Sequence, residues 1–375
     1  MKRIIRSITR FGYQHIAKPI LFLNKPDTVH NAMIRTAKLV QKTPVVRALP
    51  KLWSYQNEKV LGQTIAGLYF RNPVGVSAGF DKKIEMPPLL RSVGFGWMTA
   101  GSVTYGAYKG NEGDWYFRLP KTKSIVVNAG LPSEGTPVVA ERVRSYDTAL
   151  FDAFPLNVSV AKTNDQCSVG DAEGVKDYCE SLKIFDGLEQ VSMHEINISC
   201  PNTFGGEPFT TPARLEMLLA AVDALKLRKL VFVKMPISMP LNEYDKLLEV
   251  IVRHNVTGVT VGNLMKDRSK ATLSDPLPDG VKGNLSGTPN KKLSTELVRR
   301  TYGKYGNKLV IIGVGGVMSA EDAYEKIRAG ASLVALITGL IFEGPQVVGD
   351  INHGLTKLLQ RDGLSNISDA IGLDA

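Results

Sequence analysis

The feature that most constrains the fold is a regular alternation of short apolar runs with helix-like segments. The runs are Val74–Ala78, Trp97–Val103, Leu156–Ala161, Met193–Ser199, Leu230–Met235, Gly258–Val261, Leu309–Val314 and Leu333–Ile337. Their length and near-continuous apolar character suit strands buried on both faces. Helical patterns follow most of them, at Val138–Ala149, Asp171–Leu182, Arg214–Leu227, Asn242–His254, Lys291–Tyr305, Ala320–Ala329 and Val347–Leu359. Eight such units predict an α/β fold, a closed (β/α)8 TIM barrel spanning 61–375, preceded by a basic helical N-terminal extension over 1–60. An open doubly wound sheet shares the alternation, because periodicity does not show closure. The hydrophobic content of 43% and charged content of 22% supply ample core for a globular protein.

Two connections are longer than a barrel needs. Tyr105–Pro137 contains Tyr116-Phe117-Arg118-Leu119 and Ser124-Ile125-Val126-Val127, which read as small strands, and Leu264–Pro289 is rich in Gly, Pro, Lys and Asp. Loops after strands lie on the C-terminal face, where barrel active sites are built. Polar groups gather at the same strand ends: Gly79-Phe80-Asp81-Lys82, Ser102 and Thr104, Lys162, Asn197 and Cys200, Lys234, and Asn263. A lysine inside Val231-Phe232-Val233-Lys234-Met235 strands a charge unless an anionic group meets it. Taken singly, each lysine reads as a paired or snorkelling side chain; together, at corresponding strand ends, they point to one convergent site.

Pro201 ends the fourth strand beside Cys200, a thiol flanked by the carboxamides of Asn197 and Asn202. Either this is a buried structural cysteine in a capped turn, or a thiolate that moves a proton beside amides for a planar polar ring. Strand seven ends Gly313-Val314-Gly315-Gly316 and strand eight Thr338-Gly339, the usual barrel location for a phosphate. No Gly-x-Gly-x-x-Gly opens a βαβ unit, so a Rossmann nicotinamide site is not supported. Three cysteines form neither a CxxC pair nor a cluster with the five histidines, which argues against a disulfide framework or a metal site and for a reducing compartment.

Charge is unevenly placed. Residues 1–60 carry twelve Lys/Arg against Asp27 and Glu58, so the whole excess of +10 belongs to this segment and the body is neutral. A neutral body offers no basic face for nucleic acid, whereas the segment suits an anionic surface. Its longest early apolar run, Pro19 to Leu23, is too short for a membrane span. Between Thr28 and Val46, Ala32, Met33, Ala37, Leu39 and Val40 give a loosely amphipathic helix with a basic polar side. Such a helix either lies in a membrane interface or packs on the body. The arrangement implies peripheral contact with the cytoplasmic face of a cell membrane; an acid-poor, Arg-containing start equally fits a mitochondrial inner-membrane protein.

From Leu21 to the C-terminus the chain resembles the dihydroorotate dehydrogenase family, particularly its membrane-associated, quinone-reducing class. The resemblance rests on Ala78-Gly79-Phe80-Asp81-Lys82, Gly94-Phe95-Gly96, Asn197-Ile198-Ser199-Cys200-Pro201-Asn202-Thr203, Asp267-Arg268-Ser269, Leu285-Ser286-Gly287, Ile311-Ile312-Gly313-Val314-Gly315-Gly316 and Gly330-Ala331-Ser332. It implies an FMN barrel that oxidises (S)-dihydroorotate to orotate in pyrimidine biosynthesis and passes electrons to a quinone, with the extension over 1–60 facing the membrane and the quinone. By position, FMN is held by Ala78, Gly79, Lys82, Ser102, Ser159, Asn197, Lys234, Gly262, Gly287, Gly316, Ile337 and Thr338. The pyrimidine meets Lys82, Asn128, Asn197, Asn202 and Asn263, and Cys200 is the base. The chain departs from the quinone class at Cys200, where that class has Ser, at Leu264 after Asn263, at Ser159 in place of Asn, and in the short stretch Ala129–Glu134. Alternatives are a related FMN oxidoreductase acting on another dihydropyrimidine, a flavin-binding barrel without turnover, and a phosphosugar barrel without flavin.

Overall fold

The computed structural model describes residues 2–44, 48–166, 168, 170–200, 207 and 209–375. Its strands are β1 (Gln63–Ile65), β2 (Leu68–Phe70), β3 (Val74–Val76), β4 (Trp97–Val103), β5 (Tyr116–Leu119), β6 (Ser124–Val127), β7 (Leu156–Val160), β8 (Met193–Asn197), β9 (Leu230–Met235), β10 (Gly258–Val261), β11 (Asn284–Leu285), β12 (Val310–Val314) and β13 (Leu333–Leu336). Eight of them close in the order β10-β12-β13-β3-β4-β7-β8-β9, all paired in parallel. Closure excludes the open doubly wound sheet. These are the eight expected strands, several ending a residue or two earlier.

Side-chain alternation gives the barrel interior two ends of different chemistry. At the N-terminal end Trp97, Met193, Phe232, Ile312, Leu333 and Ala335 form one buried cluster, closed from below by Phe70 of the β1–β2 hairpin. Gly75 makes room for the Trp97 ring, since a Cβ there would lie 2.2 Å from it. Replacing a buried Trp of this kind by Ala costs about 3–5 kcal/mol, so the contact fixes the barrel floor. Further along the same strands, on the same face, stand Ser159, Glu195, Asn197, Lys234 and Thr260, in register across β7–β10. All five are buried, and Thr260 Oγ1 donates to Glu195 Oε2 at 2.6 Å.

The helices differ from expectation mainly at their ends. The segment expected over 138–149 is Thr136–Arg144, with Pro137 in the first turn, where its missing N–H costs nothing. A seven-residue helix, Pro87–Val93, follows β3, and a six-residue helix, Thr338–Glu343, follows β13; both are too short to show a period. In the long loops, the two expected small strands are β5 and β6, which pair as a hairpin, and β11 joins them as a third strand.

The basic N-terminal extension is helical, as expected, and residues 2–22 run as Lys2–Gly12, a π-type turn Tyr13–Ala17 and Lys18–Phe22. The next helix is Pro26–Val40, shorter than the expected 28–46, of which residues 45–47 lie outside the described residues. These helices are tied to the barrel. Arg6 and Arg10 both pair with Asp350, Lys38 pairs with Glu85 at 2.6 Å, and Lys25 pairs with Asp114. Tyr13 Oη donates to the Ile341 carbonyl at 2.6 Å and Gln14 Nε2 to that of Phe342 at 2.8 Å, satisfying carbonyls that the short helix Thr338–Glu343 leaves open at its end. Ile4, Ile8, Phe11, Ile16, Ile20 and Leu23 remain exposed along the same helices. Among the described residues no helix is long and apolar enough to cross a membrane.

Candidate active site

The strand-end rim and the N-terminal helices enclose one cavity of about 580 Å³. Ala78, Gly79, Lys82, Ser102, Asn197, Cys200, Lys234, Asn263, Ile337 and Thr338 all line it. The opposite wall is largely apolar: Leu21, Phe22, Val29, Met33, Ile34 and Ala37 from the N-terminal helices, with Leu340 and Ile341.

The rim is built by hydrogen bonds between its own members. Asn197 Nδ2 donates to Ser102 Oγ at 2.8 Å, and Ser102 shares a 2.8 Å bond with Ser159. Asn197 Oδ1 accepts from the backbone and hydroxyl of Ser199, and the Asn197 carbonyl accepts from Tyr178 Oη at 2.7 Å. Asn263 Nδ2 donates to the Ser199 carbonyl at 2.6 Å and to its hydroxyl at 2.7 Å, while Asn290 holds the Asn263 carbonyl. A web of this kind sets carboxamide orientation before any ligand arrives. Cys200 follows directly on Ser199, half-buried and facing the cavity.

Lys82 sits in a loop shaped by Asp81. The buried Asp81 carboxylate accepts the amides of Glu85 and Met86, each at 2.8 Å, and burial pushes its pKa up to about 6. Lys82 Nζ donates to the Gly79 carbonyl at 2.8 Å and to Tyr116 Oη at 2.5 Å. Lys234 is only 6% exposed, and among the described residues no carboxylate pairs with it. A buried ammonium in that position calls for an anionic or electron-rich partner in the cavity.

Not every expected residue faces this space. Ser159 lies beneath it, inside the barrel, acting on Asn197 through Ser102. Gly262, Gly287 and Gly316 stand behind the wall as close-approach positions. A Cβ on them would lie 1.9 Å from Ile237, 2.4 Å from the Lys123 carbonyl and 2.4 Å from Lys291 Cβ respectively. Asn128 is turned aside, its Oδ1 accepting from Asn111 at 3.3 Å. Asn202 lies outside the described residues. Lys162 turns outward to Gly174 rather than lining the cavity, its stem 3.0 Å from where a Cβ on that glycine would lie, with burial lowering its pKa.

Three lining residues had no signal at strand ends: His30, Tyr116 and Arg118. Burial and the nearby Lys82 charge hold His30 neutral, its pKa lowered to about 3. Arg118 stacks over Phe22 at 4.5 Å and donates to the Asn24 carbonyl at 2.8 Å. An Arg two residues after Tyr116 in an expected small strand was the one available hint.

The rim suits a flat, anionic, polar-edged group: it offers a buried amine, ordered carboxamides and, at Thr338, a hydroxyl on the cavity wall, a set that fits a flavin.

Comparison with known proteins agrees. The family model for dihydroorotate dehydrogenase matches residues 60–359. A Haloarcula marismortui protein named dihydroorotate dehydrogenase (quinone) is 34% identical over 360 residues, covering 96% of this chain and 98% of its own. The mouse mitochondrial protein of the same name is 33% identical over 374 residues, covering 97% and 90%. Among solved structures, ligand-free DHODH from Eimeria tenella superposes with a TM-score of 0.81 at 29% identity, covering 93% of this chain and 99% of that one. The same enzyme in complex with ferulenol gives 0.80 at 28%, covering 93% and 96%. The chain belongs to the dihydroorotate dehydrogenase family.

Proposed function

We propose that this chain oxidises dihydroorotate to orotate with FMN as resident cofactor and delivers the electrons to a quinone at a membrane surface. The observation that carries this reading is the single cavity that joins the polar rim to an apolar chamber under the N-terminal helices. Such a space serves two dissimilar molecules, a pyrimidine at the rim and a lipophilic acceptor beneath the helices.

Ala78, Gly79, Ser102, Asn197, Lys234, Ile337 and Thr338 would hold the flavin, with Gly287 and Gly316 letting the wall behind it pack closely on Lys123 and Lys291. When bound, FMN supplies the electron sink. Cys200, as thiolate, removes the proton at C5 of the substrate while the C6–H bond breaks. Asn197 and Asn263, held in place by the Ser102–Ser199 web, turn their carboxamides to the ring edges, and Lys82 faces the carboxylate. Lys234 places positive charge where negative charge builds as the pyrimidine is oxidised. The apolar helices exclude water from the chamber, and the exposed Ile4, Ile8, Phe11, Ile16, Ile20 and Leu23 give the basic N-terminal segment an apolar side for a bilayer.

The test is spectroscopic. Purified protein should be yellow and release FMN on denaturation, and orotate should perturb the flavin spectrum at lower concentration than uracil. Equal competition by uracil would mean that the carboxylate has no partner, favouring another dihydropyrimidine as substrate.

A further inference from the structure

Lys82 carries three N–H donors. Two are committed to protein: one to the Gly79 carbonyl at 2.8 Å, the other to Tyr116 Oη at 2.5 Å. One proton remains for an anion in the cavity. Tyr116 therefore sets where that proton points.

Tyr116 is itself held from the N-terminal side. The Asp27 carboxylate, in the first turn of Pro26–Val40, accepts the Trp115 amide at 3.2 Å and the Tyr116 amide at 3.3 Å. One turn on, the His30 ring lies 5.6 Å from the Tyr116 ring. A continuous set of contacts thus runs from the helix lining the apolar chamber, through Asp27 and β5, to Tyr116 and Lys82.

We infer that Tyr116 is a positioning residue that couples the docked N-terminal helix to the anion-binding lysine. The inference rests on the proposed function, since it takes the anion at Lys82 to be the substrate carboxylate. Substrate affinity then depends on a helix that does not touch the substrate.

The test uses the full-length holoenzyme, with orotate as the anionic probe, uracil as its uncharged counterpart, and the flavin spectrum as readout. Tyr116→Phe keeps the ring and removes the hydroxyl. It should retain FMN at the unmodified content, weaken orotate about tenfold, the scale of one charge-assisted hydrogen bond, and leave uracil unchanged. Asp27→Ala should weaken orotate in the same direction by a smaller factor. The double variant should be no weaker than Tyr116→Phe alone, because both changes act through one lysine. Unchanged orotate affinity in Tyr116→Phe, equal losses for orotate and uracil, or additive losses in the double variant would overturn the coupling while leaving the proposed function intact. If orotate failed to perturb the flavin of the unmodified protein, the reading of the site would fall, and this inference with it.

Discussion

The strand-end rim and the helices laid across it face the same cavity with opposite chemistry. On the rim, Asn197, Ser102, Ser199 and Asn263 spend their hydrogen bonds on one another, so their geometry is set from within the barrel. On the helices, the polar ties of Arg6, Tyr13, Gln14 and Lys38 sit at the margins, on Asp350, Glu85 and the open carbonyls after Thr338. Their inner face is Val29, Met33, Ile34 and Ala37. The rim is specific because it is rigid and polar; the cover is permissive because its wall is largely apolar, with Tyr13 and His30 as its polar members.

If that contrast divides the reaction, single substitutions should separate its halves. The largest effect belongs to the rim. Cys200→Ala should keep FMN yet slow flavin reduction by dihydroorotate roughly 10²–10⁴-fold, the usual contribution of a general base, with reoxidation by quinone unaffected. Stopped-flow measurement of the two half-reactions checks both parts, and near-normal reduction would remove Cys200 from the chemistry.

On the cover, Val29→Glu places a carboxylate in the apolar chamber. Desolvation on the order of 1–3 kcal/mol should slow quinone reoxidation roughly 10- to 100-fold while leaving reduction by dihydroorotate within about twofold. A parallel loss in both half-reactions would show that the two walls do not act separately.

A smaller effect comes from pH. The pKa of His30 in the docked helix is about 3, below its ordinary value near 6.5. Docking is therefore favoured above pH 6.5 and weakens as pH falls from there toward 3, by up to about 1.4 kcal/mol per unit. Protection factors over residues 26–40, which compare amide exchange with the intrinsic rate at each pH, should fall by up to about fivefold between pH 6.5 and 5.5, ahead of the barrel strands, and His30→Phe should flatten the dependence.

How much of this was legible beforehand follows from where each residue sits. Parallel strands buried on both faces must be apolar runs, so Val231–Met235 and Leu309–Val314 announced themselves. Polar residues interrupting such runs at their ends, Lys82, Asn197, Lys234 and Asn263, followed by simple placement on the C-terminal face. Lys162 obeyed the same rule but turned outward, because the side of the strand end it occupies faces the helix Asp171–Asp186. The helical character of the basic extension was legible, but its boundaries within residues 2–22 were not, because its apolar stripe is exposed, is interleaved with basic residues and is interrupted by the π-type turn at Tyr13–Ala17. His30 and Tyr116 were hidden for a different reason: they reach the site only because a helix and a hairpin outside the barrel meet above it.

The central claim, that one cavity takes electrons from a pyrimidine at the rim and yields them beneath the helices, has one direct measurement. The holoenzyme is mixed anaerobically with dihydroorotate while flavin absorbance is followed, and a long-chain quinone is then added. The account predicts bleaching with stoichiometric orotate, followed by full recovery of colour on quinone addition. A flavin that stays oxidised with dihydroorotate, or a bleached flavin that quinone does not restore, would contradict it.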